Sequence, residues 1–183
     1  MIPPDSIASL EAASFEGFLT IGQLHSDACQ SVPNQRGVYV VLTRGSAPHQ
    51  FRAKSSAPVW RGKQPALSLE ELAEHWVPDA SVLYIGRARG PGVRSRLRQR
   101  IKRYLRFGHG KVVAHWGGRL IWQLGEASRL VVAWRASDEL EDPADVEVRM
   151  LAEFERHYGA LPFANLRSEP GSDDDEGADD DSE

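Results

Sequence analysis

The apolar positions of this chain form two kinds of pattern, short unbroken runs and longer stripes. Gly37-Val38-Tyr39-Val40-Val41-Leu42-Thr43 is β-branched and aromatic, lies between Gly37 and Gly45, and barely alternates. That pattern predicts a strand covered on both faces. Residues 81–85, stopped by Gly86, and residues 129–134 predict two more strands. The stripes predict helices. Val93, Leu97, Ile101 and Tyr104 recur along one helical face that ends near Gly108 or Gly110. Asp142 followed by Pro143 is a helix start, and Gly159 is a stop. Between them Met150, Leu151, Phe154 and Tyr158 form the apolar side. Ser68 with Glu71 three positions on is a capping-box pattern, so a short helix is expected over 69–76. Residues 120–124 read as another short helix. Strands among helices place the chain in the mixed α/β (α+β) class.

The remaining segments are less regular. Residues 1–36 mix Phe15, Phe18, Leu19, Ile21 and Leu24 with Gly and Ser, and predict a helical turn or two packed on the body as an N-terminal extension. Residues 44–67 are rich in Gly, Pro, Ser and basic groups and form an unusually long connection. Residues 161–166 close the body.

Charge changes the picture. The formal net charge is −4, but nine acids and no base lie from Ser168 onward. Without that acidic, low-complexity tail the body carries about +5. The basic groups are concentrated. From Arg87 to Lys111 there are ten Lys or Arg residues and no Asp or Glu. On a helix, Arg96, Arg100 and Arg103 flank the apolar stripe, while Arg94, Arg98, Lys102 and Arg106 point away from it. Like charges at i,i+4 each cost about 0.2–0.5 kcal/mol. Either acids from elsewhere in the fold or a polyanionic partner must offset that repulsion, and phosphate backbones are the commonest such partner. Arg94, Arg98, Arg100, Lys102, Arg103, Arg106 and Lys111 are therefore the candidate phosphate contacts.

The single cysteine, Cys29, excludes an internal disulfide and a cysteine-based zinc site. The first residues lack the basic and apolar regions of a signal peptide, and no apolar run approaches a membrane span. A soluble, cytoplasmic protein is expected. The segment 86–90 lacks the spacing of a dinucleotide fingerprint.

One position breaks the pattern of the last helix. At 100° per residue, Met150, Leu151, Phe154 and Tyr158 all lie within about 60° of Glu147. A carboxylate in the middle of an apolar stripe must be paired, reach solvent near the stripe's end, or bind a metal.

The ordered set of parts resembles the GIY-YIG endonuclease family. Gly37-Val38-Tyr39 and Tyr84-Ile85-Gly86 are similar to its two signature tripeptides. Val93-Arg94-Ser95-Arg96-Leu97 resembles its arginine helix, Glu147 its metal-binding glutamate, and Pro162-Phe163-Ala164-Asn165 its closing asparagine. The resemblance covers roughly residues 37–167, with an insertion over 44–80. It implies a small three-stranded antiparallel sheet flanked by helices and hydrolysis of phosphodiester bonds in DNA. It also implies one divalent ion, Mg²⁺ or Mn²⁺, held by Glu147. In that family Tyr39 would help activate water or act as general base, and Tyr84 would hydrogen-bond the water or phosphate. Arg96 would bind the scissile phosphate, Asn165 would brace the site, and His115 would assist proton transfer. Arg100 stands where some members carry a second histidine.

Three features depart from the family pattern. The two signature tyrosines are 45 residues apart, where a short hairpin is usual. Gly90-Pro91-Gly92 lengthens the turn before the basic helix, which makes Arg94 a rival to Arg96. The acidic tail follows where the family often carries a further DNA-binding domain, so sequence choice would come from the body or from a protein partner. A metal-dependent nuclease is expected first. The alternatives are a non-cleaving nucleic-acid-binding module or complex subunit of the same fold, and an interaction protein acting through its tail.

Overall fold

The computed structural model describes residues 6–44, 50–89, 96–113 and 115–166. In chain order these form α1 (Ile7–Ala12), β1 (Glu16–Thr20), α2 (Ile21–Ser26), β2 (Gly37–Leu42) and α3 (Leu69–His75). Then come β3 (Val82–Ala88), α4 (Leu97–Gly108), β4 (Val131–Ala136) and α5 (Pro143–Tyr158). Two 3-10 turns lie at Arg119–Gln123 and Ala127–Arg129. Among the described residues no helix is long and apolar enough to cross a membrane.

The local signals act where they were read. The Ser68 hydroxyl accepts from the Glu71 amide, and the Glu71 carboxylate accepts from the Ser68 amide, which starts α3. Asp142 caps α5 with Pro143 in the first turn, and Gly159, at φ 74°, ends it. β2 is buried at all six positions because β3 and β4 flank it and both faces are covered.

The sheet runs β1-β4-β2-β3, with every pair antiparallel. It has four strands where three were expected. The fourth, β1, comes from a segment that reads as helical turns. Its alternation is broken because Gly17 and Phe18 take positive φ and the register against β4 shifts between Glu16 and Leu19. Gly17 lies flat against the Trp134 indole, where a Cβ would come within 2.3 Å of the ring.

Each face of the sheet carries its own core. On one face α1 and α5 bury Leu10, Phe15, Val146 and Phe154 against Val38, Val40, Ile85, Val131 and Ala133. On the other, α2, α4 and the 3-10 turns pack on Tyr39, Val41, Tyr84, Val132 and Trp134. The connection between β2 and β3 is folded onto this second face. The buried Gln123 side chain accepts from the Leu67 amide at 2.8 Å and donates to the Arg52 and Leu67 carbonyls at 3.0 and 2.9 Å. One core amide thereby ties Arg52 and Leu67 of the inserted segment together, and its polar atoms stay satisfied.

The basic helix begins at Leu97, later than the stripe suggests. Val93 and the rival Arg94 lie outside the described residues. Arg96 is the N-cap residue in extended conformation and precedes the helical face on which it was expected.

Candidate functional site

Antiparallel register sets the centre of the site. Tyr39 on β2 pairs with Gly86 on β3, and Val41 pairs with Tyr84. Both tyrosine rings therefore project toward α4, with centroids 5.9 Å apart and edge to face. Gly86 is obligatory here, because a Cβ would lie 2.7–2.9 Å from the Tyr39 ring and hydroxyl. Tyr104 from α4 completes a triad, 6.4 Å from Tyr39 and 5.9 Å from Tyr84, and its hydroxyl donates to the Gly118 carbonyl at 3.3 Å.

The three tyrosines are buried. Tyr39 is fully buried, and its hydroxyl makes no hydrogen bond of good geometry within the described residues. Burial pushes the Tyr39 phenol above the ordinary tyrosine range; the Arg100 guanidinium and the Tyr84 hydroxyl pull it back, and the Glu147 charge adds to the rise. Burial also raises Tyr84 well above that range, followed by the Tyr39 hydroxyl, with Arg100 opposing and Glu147 adding. Both phenols are therefore protonated at neutral pH and serve as hydrogen-bond donors.

His115 lies on the same face, 2% exposed, with its ring 5.0 Å from Tyr104. Neither ring nitrogen has a hydrogen-bond partner of good geometry among the described residues. Burial drives its pKa well below the usual 6.5, and the positive charges of Arg100 and Arg103 push it lower still. The imidazole is neutral.

Glu147 is buried, as its place in the apolar stripe implies. It pairs with Arg87, which alternation along β3 turns toward α5. Its charge acts on both Tyr39 and Tyr84. Residues scattered from 39 to 147 thus share one electrostatic neighbourhood around β3.

Asn165 supports that strand from outside. β3 is an edge of the sheet, and Asn165 copies a missing strand there. Its Oδ1 accepts from the Ile85 amide and its Nδ2 donates to the Ile85 carbonyl, both at 2.8 Å, while the Ala164 amide donates to Leu83. Ile85 lies between Tyr84 and Gly86, so Asn165 holds the backbone that aims Tyr84.

The arginines divide differently from their helical-wheel placement. Arg100 lies by the tyrosines, and Arg100 and Arg103 both act on His115. Arg96 donates to the Asn34 carbonyl at 3.1 Å. Arg98 was expected to point outward; instead it is half-buried and donates to the Val32 carbonyl at 2.7 Å, because α2 and the 27–35 loop cover that side of α4. Lys102, Arg106 and Lys111 are exposed.

The donors available to a metal are few. Among the described residues no group of three or more His, Cys, Asp or Glu is arranged so that it could hold a metal ion. Glu147 offers one carboxylate, shared with Arg87. One carboxylate does not make a closed protein cage; a hard cation held there would have to displace Arg87, keep most of its waters and take further oxygens from a phosphate. An open cleft of about 620 Å³ lies elsewhere; Glu16, Asp138, Glu141, Asp142 and Asp145 line it with Arg135 and Arg149, both paired to Glu141, so acids predominate.

Two participants were not singled out from the sequence, Arg87 as the partner of Glu147 and Tyr104 as the third ring. Alternation along β3 could have placed Arg87 on the α5 side. Tyr104 was read only as part of the helix stripe.

No protein-family model, curated protein or solved structure matches the chain.

Proposed function

We propose that this chain is a nucleic-acid-binding α/β domain whose basic helix meets phosphate. More particularly, we read it as a metal-dependent endonuclease of the GIY-YIG type acting on DNA. The observation that supports this reading best is that Arg100 lies by the paired Tyr39 and Tyr84 phenols, while Glu147, on the α5 side of β3, is near enough for its charge to act on both.

In this reading Lys102, Arg106 and Lys111 bind the backbone, together with Arg94 and Arg96 at the start of the basic segment. Arg100 presents a planar fork to the scissile phosphate. Tyr84 and Tyr39, protonated, orient the phosphate or the attacking water by donation. Burial and the nearby arginines keep His115 neutral, so in this reading it serves as an uncharged hydrogen-bonding group beside the phenols and not as a proton acceptor. Asn165 keeps β3 in place. Glu147 would hold the Mg²⁺ or Mn²⁺, which when bound supplies Lewis-acid stabilisation of phosphoryl charge. The protein would work in the cytoplasm, where burial keeps the Cys29 thiol inert with its pKa pushed up to about 11.

A second reading is a non-cleaving binding module or complex subunit of the same fold. The ion pair between Arg87 and Glu147 favours it, because a guanidinium already neutralises the carboxylate that a metal would need.

Nicking of supercoiled plasmid with Mg²⁺ or Mn²⁺ separates the two. The native chain should nick, and Glu147→Gln, which keeps an acceptor for Arg87, should lower the rate at least about a hundredfold. DNA affinity should change by no more than about twofold, because phosphate contacts supply most of it. Arg100→Ala should slow nicking more than Arg96→Ala. Equal nicking by the Glu147→Gln variant would remove Glu147 from the chemistry. Tight binding without nicking by the native chain would establish the second reading.

A further inference from the structure

We propose that the inserted segment between β2 and β3 builds a stacking site for an unpaired base of the nucleic acid, formed by Trp60 and Arg61 with Trp116 and Arg119. The proposal rests on the nucleic-acid reading above but not on cleavage.

The geometry begins with a two-residue turn. The Trp60 and Lys63 backbones exchange hydrogen bonds at 3.1 and 2.9 Å, and both central residues, Arg61 and Gly62, take positive φ, 49° and 76°. That is the hairpin turn that matches strand twist, and it ordinarily carries Asn or Gly at the first central position. An arginine held there is strained, and such strain gathers at functional sites. The turn projects outward: Arg61, Gly62 and Lys63 are exposed, and a Cβ on Gly62 would meet nothing within 4 Å.

Behind the turn is a paired aromatic surface. The Trp60 and Trp116 rings lie 6.3 Å apart at 31°, and both indoles are half-buried. Each carries a guanidinium on its face, Arg61 at 4.6 Å from the Trp60 centroid and Arg119 at 4.7 Å from the Trp116 centroid. An indole backed by a guanidinium is a flat cationic plate. It offers a plane to a base and donors to the adjoining phosphate.

The place and charge of this surface fit that ligand. Trp116 sits in the chain between His115 and Gly117; His115 packs on Tyr104, and a Cβ on Gly117 would come 2.6 Å from the Tyr84 hydroxyl. The aromatic surface therefore adjoins the tyrosine centre. No Asp or Glu occurs from Ala28 to Leu69 or from Arg87 to Gly125, and these two stretches hold 17 of the 22 Lys and Arg residues. A base stacked within an intact duplex cannot offer its face to an indole, so the site selects single-stranded, gapped or bubbled DNA.

Binding of the full chain to fluorescent oligonucleotides in EDTA tests this without cleavage. The native chain should bind a bubbled duplex or a single strand more tightly than a plain duplex of the same sequence. Trp60→Ala should weaken binding to the unpaired forms about tenfold and to duplex by less than about twofold. Arg61→Gly relieves the strained φ, so it should keep or raise the Tm while still losing preference for unpaired DNA. Trp60→Phe should restore most of that preference. Loss spread equally over all three DNAs, or no loss with either variant, would overturn the stacking site and leave the nuclease reading intact. Failure of the native chain to bind any DNA would overturn both.

Discussion

His115 shows how much a single buried group decides here. Its imidazole is neutral in the native state, while an unfolded histidine titrates near 6.5. Above that pH both states are neutral and the group costs nothing. As pH falls below it, the unfolded chain takes up a proton that the native chain refuses, so stability declines by up to about 1.4 kcal/mol per pH unit until the depressed native pKa is passed. Denaturant melts across pH 7.5 to 5 should show that slope. In His115→Phe, which keeps the ring contact with Tyr104, this histidine's share of the slope should vanish. The same scale separates arginines that look alike in sequence. Arg96 is committed to a loop carbonyl and Arg98 to another, whereas Arg100 lies by the phenols. Their identity was plain from the sequence, but their aim depends on what covers each side of α4.

At the scale of elements, β3 organises the site. It is an edge strand, yet it carries Tyr84, Gly86 and Arg87, one residue for each face and one gap for Tyr39. An edge strand needs its outer groups satisfied, and Asn165 does this at Ile85 with two hydrogen bonds. Asn165→Ala should cost about 1–3 kcal/mol, seen as a Tm lower by about 2–10 °C for a chain of this size. It should also raise amide exchange at Ile85 and leave exchange in β4 unchanged; equal loosening of both strands would mean that Asn165 supports the whole sheet. The ends of α3 and α5 were legible because caps, a proline in the first turn and a terminal glycine act within a few residues. β1 was not legible, because two positive φ values and a register shift erase the period by which a strand is recognised.

For the whole molecule, the distribution of charge matters more than its total. The formal charge is −4, yet α4, with its exposed Lys102 and Arg106, packs on the same face of the sheet as the inserted segment. Binding of DNA to that side should weaken steeply with salt, with a log–log slope of about −0.9 for each phosphate neutralised. The nine tail acids would compete for the same cations. Deleting residues 168–183 should therefore tighten DNA binding at low salt, with the gain shrinking as salt rises; unchanged affinity would make the tail a simple solubilising run.

The sequence alone determined the mixed class, three of the four strands, the ends of α3 and α5, the concentration of cations and the anomaly at Glu147. These rest on interactions between near neighbours, or on composition, and both can be read without knowing the partners. Tertiary structure alone decided that β1 completes the sheet, that Arg87 meets Glu147, that Arg100 lies by the tyrosines, and that Trp60 reaches Trp116. Each depends on the register or docking of segments far apart in the chain, and those are settled only when the two faces of the sheet are filled.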